Sequence, residues 1–292
     1  MNRIKGILYA AVSSSTFGLA PFFSITLLLA GFSAFEVLSY RWGVASIVLI
    51  VFGWLSGCNF RLAGKDWGVV FLLSLLRAVT SFSLIIAYQN IASGVASTIH
   101  FIYPLAVALA MMFFFREKKS LLVILAVLMS LLGAALLSLG ELEAKSGNTM
   151  VGLVAACVSV FSYAGYIVGV RTTRAVQINS TALTCYVMGL GTIFYLIGAY
   201  CTSGLQLVSD GYTWLIILGL ALPATAISNI TLVQAIKYAG PTLTSILGAM
   251  EPLTAVVIGV FVFKELFTVN SAVGIILILL AVSIVVFRRQ KS

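Results

Sequence analysis

The sequence predicts an all-α integral membrane protein: ten transmembrane helices arranged as two inverted five-helix repeats, with both termini cytoplasmic. Three observations carry that prediction. The 292 residues are 61% hydrophobic and only 9% charged, against roughly 25% charged in a soluble domain. Apolar runs of about 20 residues, each able to cross ~30 Å of hydrocarbon as a helix, recur along the whole length. The second half of the chain also repeats the first. Helices are required because backbone groups in lipid must pair internally. The alternating segments of about 10 residues that mark a membrane barrel are absent.

The spans fall at 5–29, 35–56, 67–88, 95–115, 120–140, 150–170, 180–203, 213–236, 242–263 and 269–287, joined by short connections. The first follows "MNRIK" and mimics a cleaved signal peptide, but its counterpart at 152–170 lies mid-chain, so it reads as a retained helix. Cys58, Cys157, Cys185 and Cys201 show no metal-ligand spacing, and His100 is the only histidine. Neither a disulfide framework nor a metal site is expected, and no cofactor.

The net charge of +9 would suggest nucleic acid in a soluble protein. Here membrane topology accounts for it. With the N-terminus inside, Arg3, Lys5, Arg61, Lys65, Arg116, Lys118, Lys119, Arg171, Arg174, Lys237, Arg288, Arg289 and Lys291 are cytoplasmic, while only Lys145 and Lys264 are external. That bias is the positive-inside pattern. It places the chain in a bacterial-type inner membrane as a multi-pass protein.

Self-comparison finds the repeat. "GILYAAVSS" at 6–14 resembles "GLVAACVSV" at 152–160, Tyr40 and Gly43 fall on Tyr186 and Gly189, and Trp67 falls on Trp214. "IYPLAVALAMMFFFRE" at 102–117 aligns with "MEPLTAVVIGVFVFKE" at 250–265. The offset drifts only from 146 to 148, so residues 1–146 and 147–292 read as two copies of one unit. Five helices per unit means that the second enters the membrane upside down. "REKK" at 116–119 is then cytoplasmic, and its mate "KELF" at 264–267 is external and has lost two cations. Inverted repeats around a midplane site are the architecture of secondary transporters.

In lipid, polar side chains mark contacts with protein or a cavity. Spans five and ten hold almost none. In span three, Arg77, Thr80, Ser81 and Tyr88 share a helical stripe; in span six, Ser159, Ser162, Tyr163 and Tyr166 do so, with Ser13, Thr16 and Phe17 matching in span one. Span eight offers Thr225, Ser228 and Asn229; span nine aligns Thr244, Gly248, Glu251 and Thr254. Small polar residues also serve interhelical packing, so the stripes fit both packing and a cavity lining.

Glu251 lies about 13 Å deep at 1.5 Å per residue. A lone carboxylate there is expensive, so it is neutral, paired or wet: a proton carrier, a substrate ligand, or a partner for backbone groups freed by Pro252. Arg77 lies at a similar depth, which allows an Arg77–Glu251 salt bridge. Arg41, near the outer end of span two with Glu36 before it, reads as an anchor snorkelling outward. His100 lies one turn from Tyr103 and titrates near neutral pH when unperturbed.

The order of "SYRWGVASIVL", "IYPLAVALAMMFFFRE" and "MEPLTAVVIGVFVFKE" resembles the ten-helix EamA-type carriers of the drug/metabolite transporter superfamily. Recurring marks of that family are prolines in the fourth and ninth helices, a glutamate ending each, and an arginine early in the second. Here these are Pro104, Pro252, Glu117, Glu265 and Arg41. The resemblance implies a central cavity from helices one, three, four, six, eight and nine. Span one lacks the buried acid of proton-driven small multidrug pumps.

Together these readings lead to a non-enzymatic carrier that moves a small polar metabolite, an amino acid or relative, outward by alternating access. The alternatives are a flippase for lipid or lipid-linked substrates and a drug, sugar or nucleoside carrier. The candidate substrate-binding residues are Arg77, Ser81, Tyr88, His100, Tyr103, Tyr163, Tyr166, Ser228, Asn229 and Glu251. Glu251 is the proton-coupling candidate, and Pro104 and Pro252 are the hinges. No GxxxxGK[ST] loop for ATP occurs. A monomer suffices, in the bilayer and without nucleic acid.

Overall fold

The computed structural model describes residues 2–117, 120–138, 147–202, 204–254 and 268–288. The external cations Lys145 and Lys264, Glu265 and the boundary at 146/147 expected between repeats fall outside them. All regular structure among the described residues is helical.

The first span is two helices, α1 (Asn2–Phe17) and α2 (Ala20–Leu29). Next come α3 (Ala34–Leu55) and α4 (Trp67–Asn90). The fourth span is again two pieces, α5 (Ser93–His100) and α6 (Tyr103–Phe113), followed by α7 (Leu121–Ser138). In the second half, α8 (Thr149–Thr172) and α9 (Ser180–Cys201) are continuous. The eighth span joins α10 (Gly211–Ala221) to α11 (Ser228–Ala239) through a π-helical segment at Leu222–Ile227. The ninth has α12 (Pro241–Leu247) and a restart, α13, at 250–254; α14 (Val269–Arg288) closes the fold. Among the described residues, seven of these spans are long and apolar enough to cross a membrane alone, and Leu121–Leu136 and Ala272–Ile284 are shorter apolar helices.

Local signals set the starts. Ser33 and Glu36 form a reciprocal capping box at α3, satisfying two end N–H groups. Asn148, Asn179 and Asp210 cap α8, α9 and α10. The Thr213 N–H donated to the Asp210 carboxylate holds that acid below the usual carboxylate range.

Packing follows the duplication. The third span (α4) lies against the sixth (α8), and the first (α1) against the eighth (α11). Because the third and eighth are repeat-mates, as are the first and sixth, these two contacts are one contact made twice. The second and seventh (α3, α9), fourth and ninth (α6, α12) and fifth and tenth (α7, α14) pair each helix with its own mate. The α3–α9 pair is antiparallel. Glu36 at the start of α3 accepts the Gln206 N–H beyond the end of α9 at 2.6 Å. At the other end, Tyr186 early in α9 donates to the Phe60 carbonyl beyond α3 at 2.6 Å. Large apolar side chains such as Ile50, Trp54, Phe161 and Leu132 stay exposed on the outside, where lipid is the natural neighbour.

Candidate functional site

Three spans break at the same level, and the breaks touch. Tyr103, first residue of α6, sends its hydroxyl against Gly248 at the end of α12; a Cβ on Gly248 would lie 1.8 Å from that oxygen. Gly18, between α1 and α2, presses on the backbone of α13, and a Cβ there would lie 2.6 Å from the Glu251 carbonyl oxygen. Pro21, Pro104 and Pro252 all stand in the first turn of a restarted helix, where a missing N–H leaves no bond unmade.

Two arginines occupy the centre. Arg77, on α4, is 1% exposed, and its Nε donates to Asn229 Oδ1 at 3.0 Å. Its guanidinium carbon lies 5.3 Å from the centroid of the Phe17 ring, 4.9 Å from Tyr163 and 5.9 Å from Tyr166. These are cation–π distances, worth about 2 kcal/mol when desolvated. Arg41, on α3, is 4% exposed. Its Nε donates to Thr225 Oγ1 at 2.6 Å, its Nη2 lies 3.5 Å from the Ala224 carbonyl, and its guanidinium sits 5.5 Å from the same Phe17 ring.

Both arginines are therefore held at Nε by the eighth span. The π-helical turn makes that geometry. It brings Thr225 toward Arg41, while Asn229 donates Nδ2 to the Thr225 carbonyl at 2.8 Å and offers Oδ1 to Arg77. Single π-turns inside α-helices occur frequently at functional sites. Between the arginines and Tyr88 lies a cavity of about 10 Å³, on the scale of one water molecule. Ser81 and Tyr88 line it with Arg77 and Arg41, and Pro21 and Ser24 of α2 close one side.

On the other side of Arg77 the rings of Tyr163, Tyr103 and His100 cluster at centroid separations of 4.6–5.3 Å, His100 stacked on Tyr163 and Tyr103 edge-on to Tyr163. His100 Nδ1 is 2.8 Å from Ser159 Oγ; its Nε2, the Tyr166 hydroxyl and Arg77 Nη1 are buried and have no partner among the described residues. Ser228 is buried at the α1 contact, where its carbonyl accepts from Ser13 at 2.8 Å. Seven of the other nine sequence candidates thus gather with Arg77, while Glu251 lies at the α13 restart and Ser228 at an adjoining packing contact.

Three expectations are corrected. Arg41 is no outward-snorkelling anchor. The loop beyond α9 folds over the start of α3, through Glu36 and a hydrogen bond from the Tyr40 hydroxyl to the Gln206 carbonyl, so Arg41 is enclosed beneath it. The second span therefore joins the cavity lining, which the expected six helices did not include. Arg77 and Glu251 form no salt bridge: Asn229 takes the arginine, and nothing among the described residues hydrogen-bonds the Glu251 carboxyl. Nor does Pro252 free the carbonyl of residue 248, which accepts the Glu251 N–H at 2.9 Å. Sequence reasoning also left Phe17 and Thr225 out of the candidate set, although Phe17 is the repeat-mate of Tyr163. The two mates present their rings to the same guanidinium.

A model of the EamA-like transporter family matches residues 4–139 and, a second time, residues 150–287. The chain belongs to the EamA-like transporter family. It is a membrane transporter of the drug/metabolite transporter superfamily, and the double match covers each half with one copy of the family's unit. Among solved structures, 29 chains match the fold. One, a protein determined by crystallography, has a TM-score of 0.79 at 17% identity over 97% of this chain and 96% of its own. That identity level speaks for the fold alone. Among curated proteins there is no match.

Proposed function

We propose that this EamA-family protein is a secondary transporter for a small carboxylate-bearing metabolite, an amino acid or close relative, which it exports by alternating access. The observation that carries the reading is the Arg77 guanidinium. It is 1% exposed, anchored at Nε by Asn229, and has Nη1 buried with no acceptor among the described residues. A buried cation with an unused fork is costly for a fold and suited to a carboxylate, which takes two parallel N–H bonds from such a fork.

In this reading the repeats 1–146 and 147–292 rock about the level of the breaks, with Pro104 and Pro252 beside the points that bend. A cavity of about 10 Å³ holds no amino acid, so the structure corresponds to a closed stage of the cycle. Tyr163, Tyr166 and Phe17 orient the arginine, and Ser81 and Tyr88 supply hydroxyls to the bound molecule. Glu251, partly buried at the α13 restart, is the group available to an ammonium or a proton. Both termini lie in the cytoplasm of a bacterial-type inner membrane.

Counterflow in proteoliposomes with a panel of labelled amino acids tests the proposal, with Glu251→Gln run beside the unmutated protein. The expected result is accumulation of one class of amino acid, altered by the mutation. Silence across the panel, with sugars, nucleosides or lipid-linked compounds exchanged instead, would overturn the substrate assignment.

A further inference from the structure

The end of the bundle that carries the N-terminus holds a second cavity, of about 420 Å³, within the range of small-molecule pockets. Its walls are the ends of spans one, four, six, eight and nine, at Arg3, Met111, Glu117, Arg171 and the turn at 238–241. The same spans carry Phe17, Tyr103, Tyr163, Asn229 and Gly248 at the level of Arg77. Met111 lies eight residues beyond Tyr103 on α6, Arg171 eight beyond Tyr163 on α8, and Tyr238 nine beyond Asn229 on α11. At 1.5 Å per residue the cavity stands roughly 12–13 Å from that level along the helices. Between the two levels, Ala10, Ala108, Ala235, Leu243 and Ile246 close into one buried apolar cluster.

A cation and an acid flank the turn at 238–241. On one side Arg171 Nη1 donates to the Lys237 carbonyl at 3.1 Å, and among the described residues this arginine makes no ion pair. On the other side Thr242 Oγ1 donates to Glu117 Oε2 at 2.5 Å. The end of α6 aims the acid there. The Glu117 N–H reaches back to the Met111 carbonyl at 3.0 Å, and Arg116 takes a left-handed φ of 55°. That closing turn is usual at a helix end, but glycine normally supplies it. Arg171 and Glu117 thus line one cavity without being paired to each other.

We infer that this cavity is a loading site, where an amino acid binds before the alanine-rich layer parts, its carboxylate on Arg171 and its ammonium on Glu117. The assignment rests on the amino-acid reading and deepens it, giving the substrate a station on the cytoplasmic side of Arg77. A guanidinium held through Nη1 keeps its remaining N–H groups in a fixed plane, which suits a carboxylate. A carboxylate accepts about four hydrogen bonds, so an ammonium joins Thr242 there without parting α6 from α12. The headgroup of phosphatidylethanolamine carries the same two charges, on a phosphate and an ammonium, and is the competing occupant.

The test follows a thiol in the cavity wall. Tyr238→Cys, at a position 44% exposed, is made with the native cysteines replaced and reconstituted in phosphatidylglycerol–phosphatidylcholine vesicles. Its rate of modification by a maleimide is measured against each amino acid of the counterflow panel. An amino acid that exchanges should slow modification. Arg171→Gln and Glu117→Gln should each raise the half-protective concentration at least about fivefold, the upper end for a solvent-accessible charge pair. Arg171→Lys keeps the charge and should keep most of the protection, which separates binding from loss of the Lys237 contact. The methyl ester of the same amino acid should be indifferent to Arg171→Gln, and its N-acetyl derivative to Glu117→Gln. Protection should persist in Arg77→Gln, where exchange stops. Exchange without protection would overturn the inference and leave the amino-acid carrier standing. Protection that Arg77→Gln abolishes and Arg171→Gln spares would overturn it as well, by placing the effect at the deeper site. If phosphatidylethanolamine alone protects the thiol through Arg171, the occupant is a lipid headgroup and the loading site is refuted. No exchange and no protection by any amino acid would overturn both this inference and the reading beneath it.

Discussion

Gly248→Ala sets two opposing effects against each other. Gly248 has φ −53° and ψ −24°, a helical conformation that alanine adopts freely. On backbone grounds alone the substitution should stabilise by about 0.4–1 kcal/mol through the unfolded chain. The new Cβ would lie 1.8 Å from the Tyr103 hydroxyl oxygen, 2.8 Å from the Ser245 carbonyl oxygen and 3.1 Å from Tyr103 Cζ. Tyr103 is 2% exposed and packed between His100, Phe101 and Tyr163, so it has no room to retreat. Overpacking of this kind costs about 1–3 kcal/mol, and the clash should win. At roughly 2–4 °C per kcal/mol for the larger domains, the melting temperature in detergent should fall by several degrees.

Tyr103→Phe removes the oxygen at 1.8 Å and leaves the ring carbon at 3.1 Å, a gap that a small shift relieves. The Ser245 contact persists, so Gly248→Ala in a Tyr103→Phe background should be milder but not neutral. The double-mutant cycle should return a favourable coupling of about 1 kcal/mol or more. If Gly248→Ala melts like the parent, or if the cycle shows no coupling, the fourth and ninth spans do not cross at their breaks as described.

Two further outcomes follow from the same geometry. Asn229→Ala takes the acceptor from Arg77 Nε and the donor from the Thr225 carbonyl. A buried bond to a charged group is worth about 1.5–3 kcal/mol, so the melting temperature should drop. Asn229→Asp should keep the fold but neutralise Arg77 and abolish counterflow of carboxylates. Cys58 follows α3 and the exposed Cys201 ends α9, the repeat-mate of α3. An impermeant maleimide should therefore reach Cys201 from outside intact cells and Cys58 only after permeabilisation. Labelling of both from one side would contradict the inversion.

Much of this was legible in the chain. The stripe of Arg77, Ser81 and Tyr88 and the matching stripe with Tyr163 and Tyr166 identified facing helix surfaces, because a polar side chain in lipid has few places to go. The register of the repeat placed Phe17 opposite Tyr163 in the alignment before any contact was known. The breaks were harder to read. In the first span the Ser13–Thr16 run read as a lining stripe rather than as the approach to a stop, and only Gly18 and Pro21 marked the break at Gly18–Leu19. Arg41 was misjudged because depth was counted from the end of its own helix. The loop that encloses it comes from beyond α9, some 165 residues later in the chain, and no local pattern reports that. The π-helical turn is a tertiary solution: Thr225 Oγ1 both donates to the Leu220 carbonyl at 2.7 Å and accepts from Arg41.

The central claim is that substrate binds where the arginines meet. Ser81 is 4% exposed and lines the closed cavity beside Arg77. In a background with the native cysteines replaced, Ser81→Cys would be treated with a small anionic methanethiosulfonate during counterflow. The account predicts modification that stops transport and is slowed by the exchanged amino acid, but not by compounds that fail to exchange. Modification at one rate whether or not substrate is present, or a thiol that never reacts while transport runs, would place the binding site elsewhere.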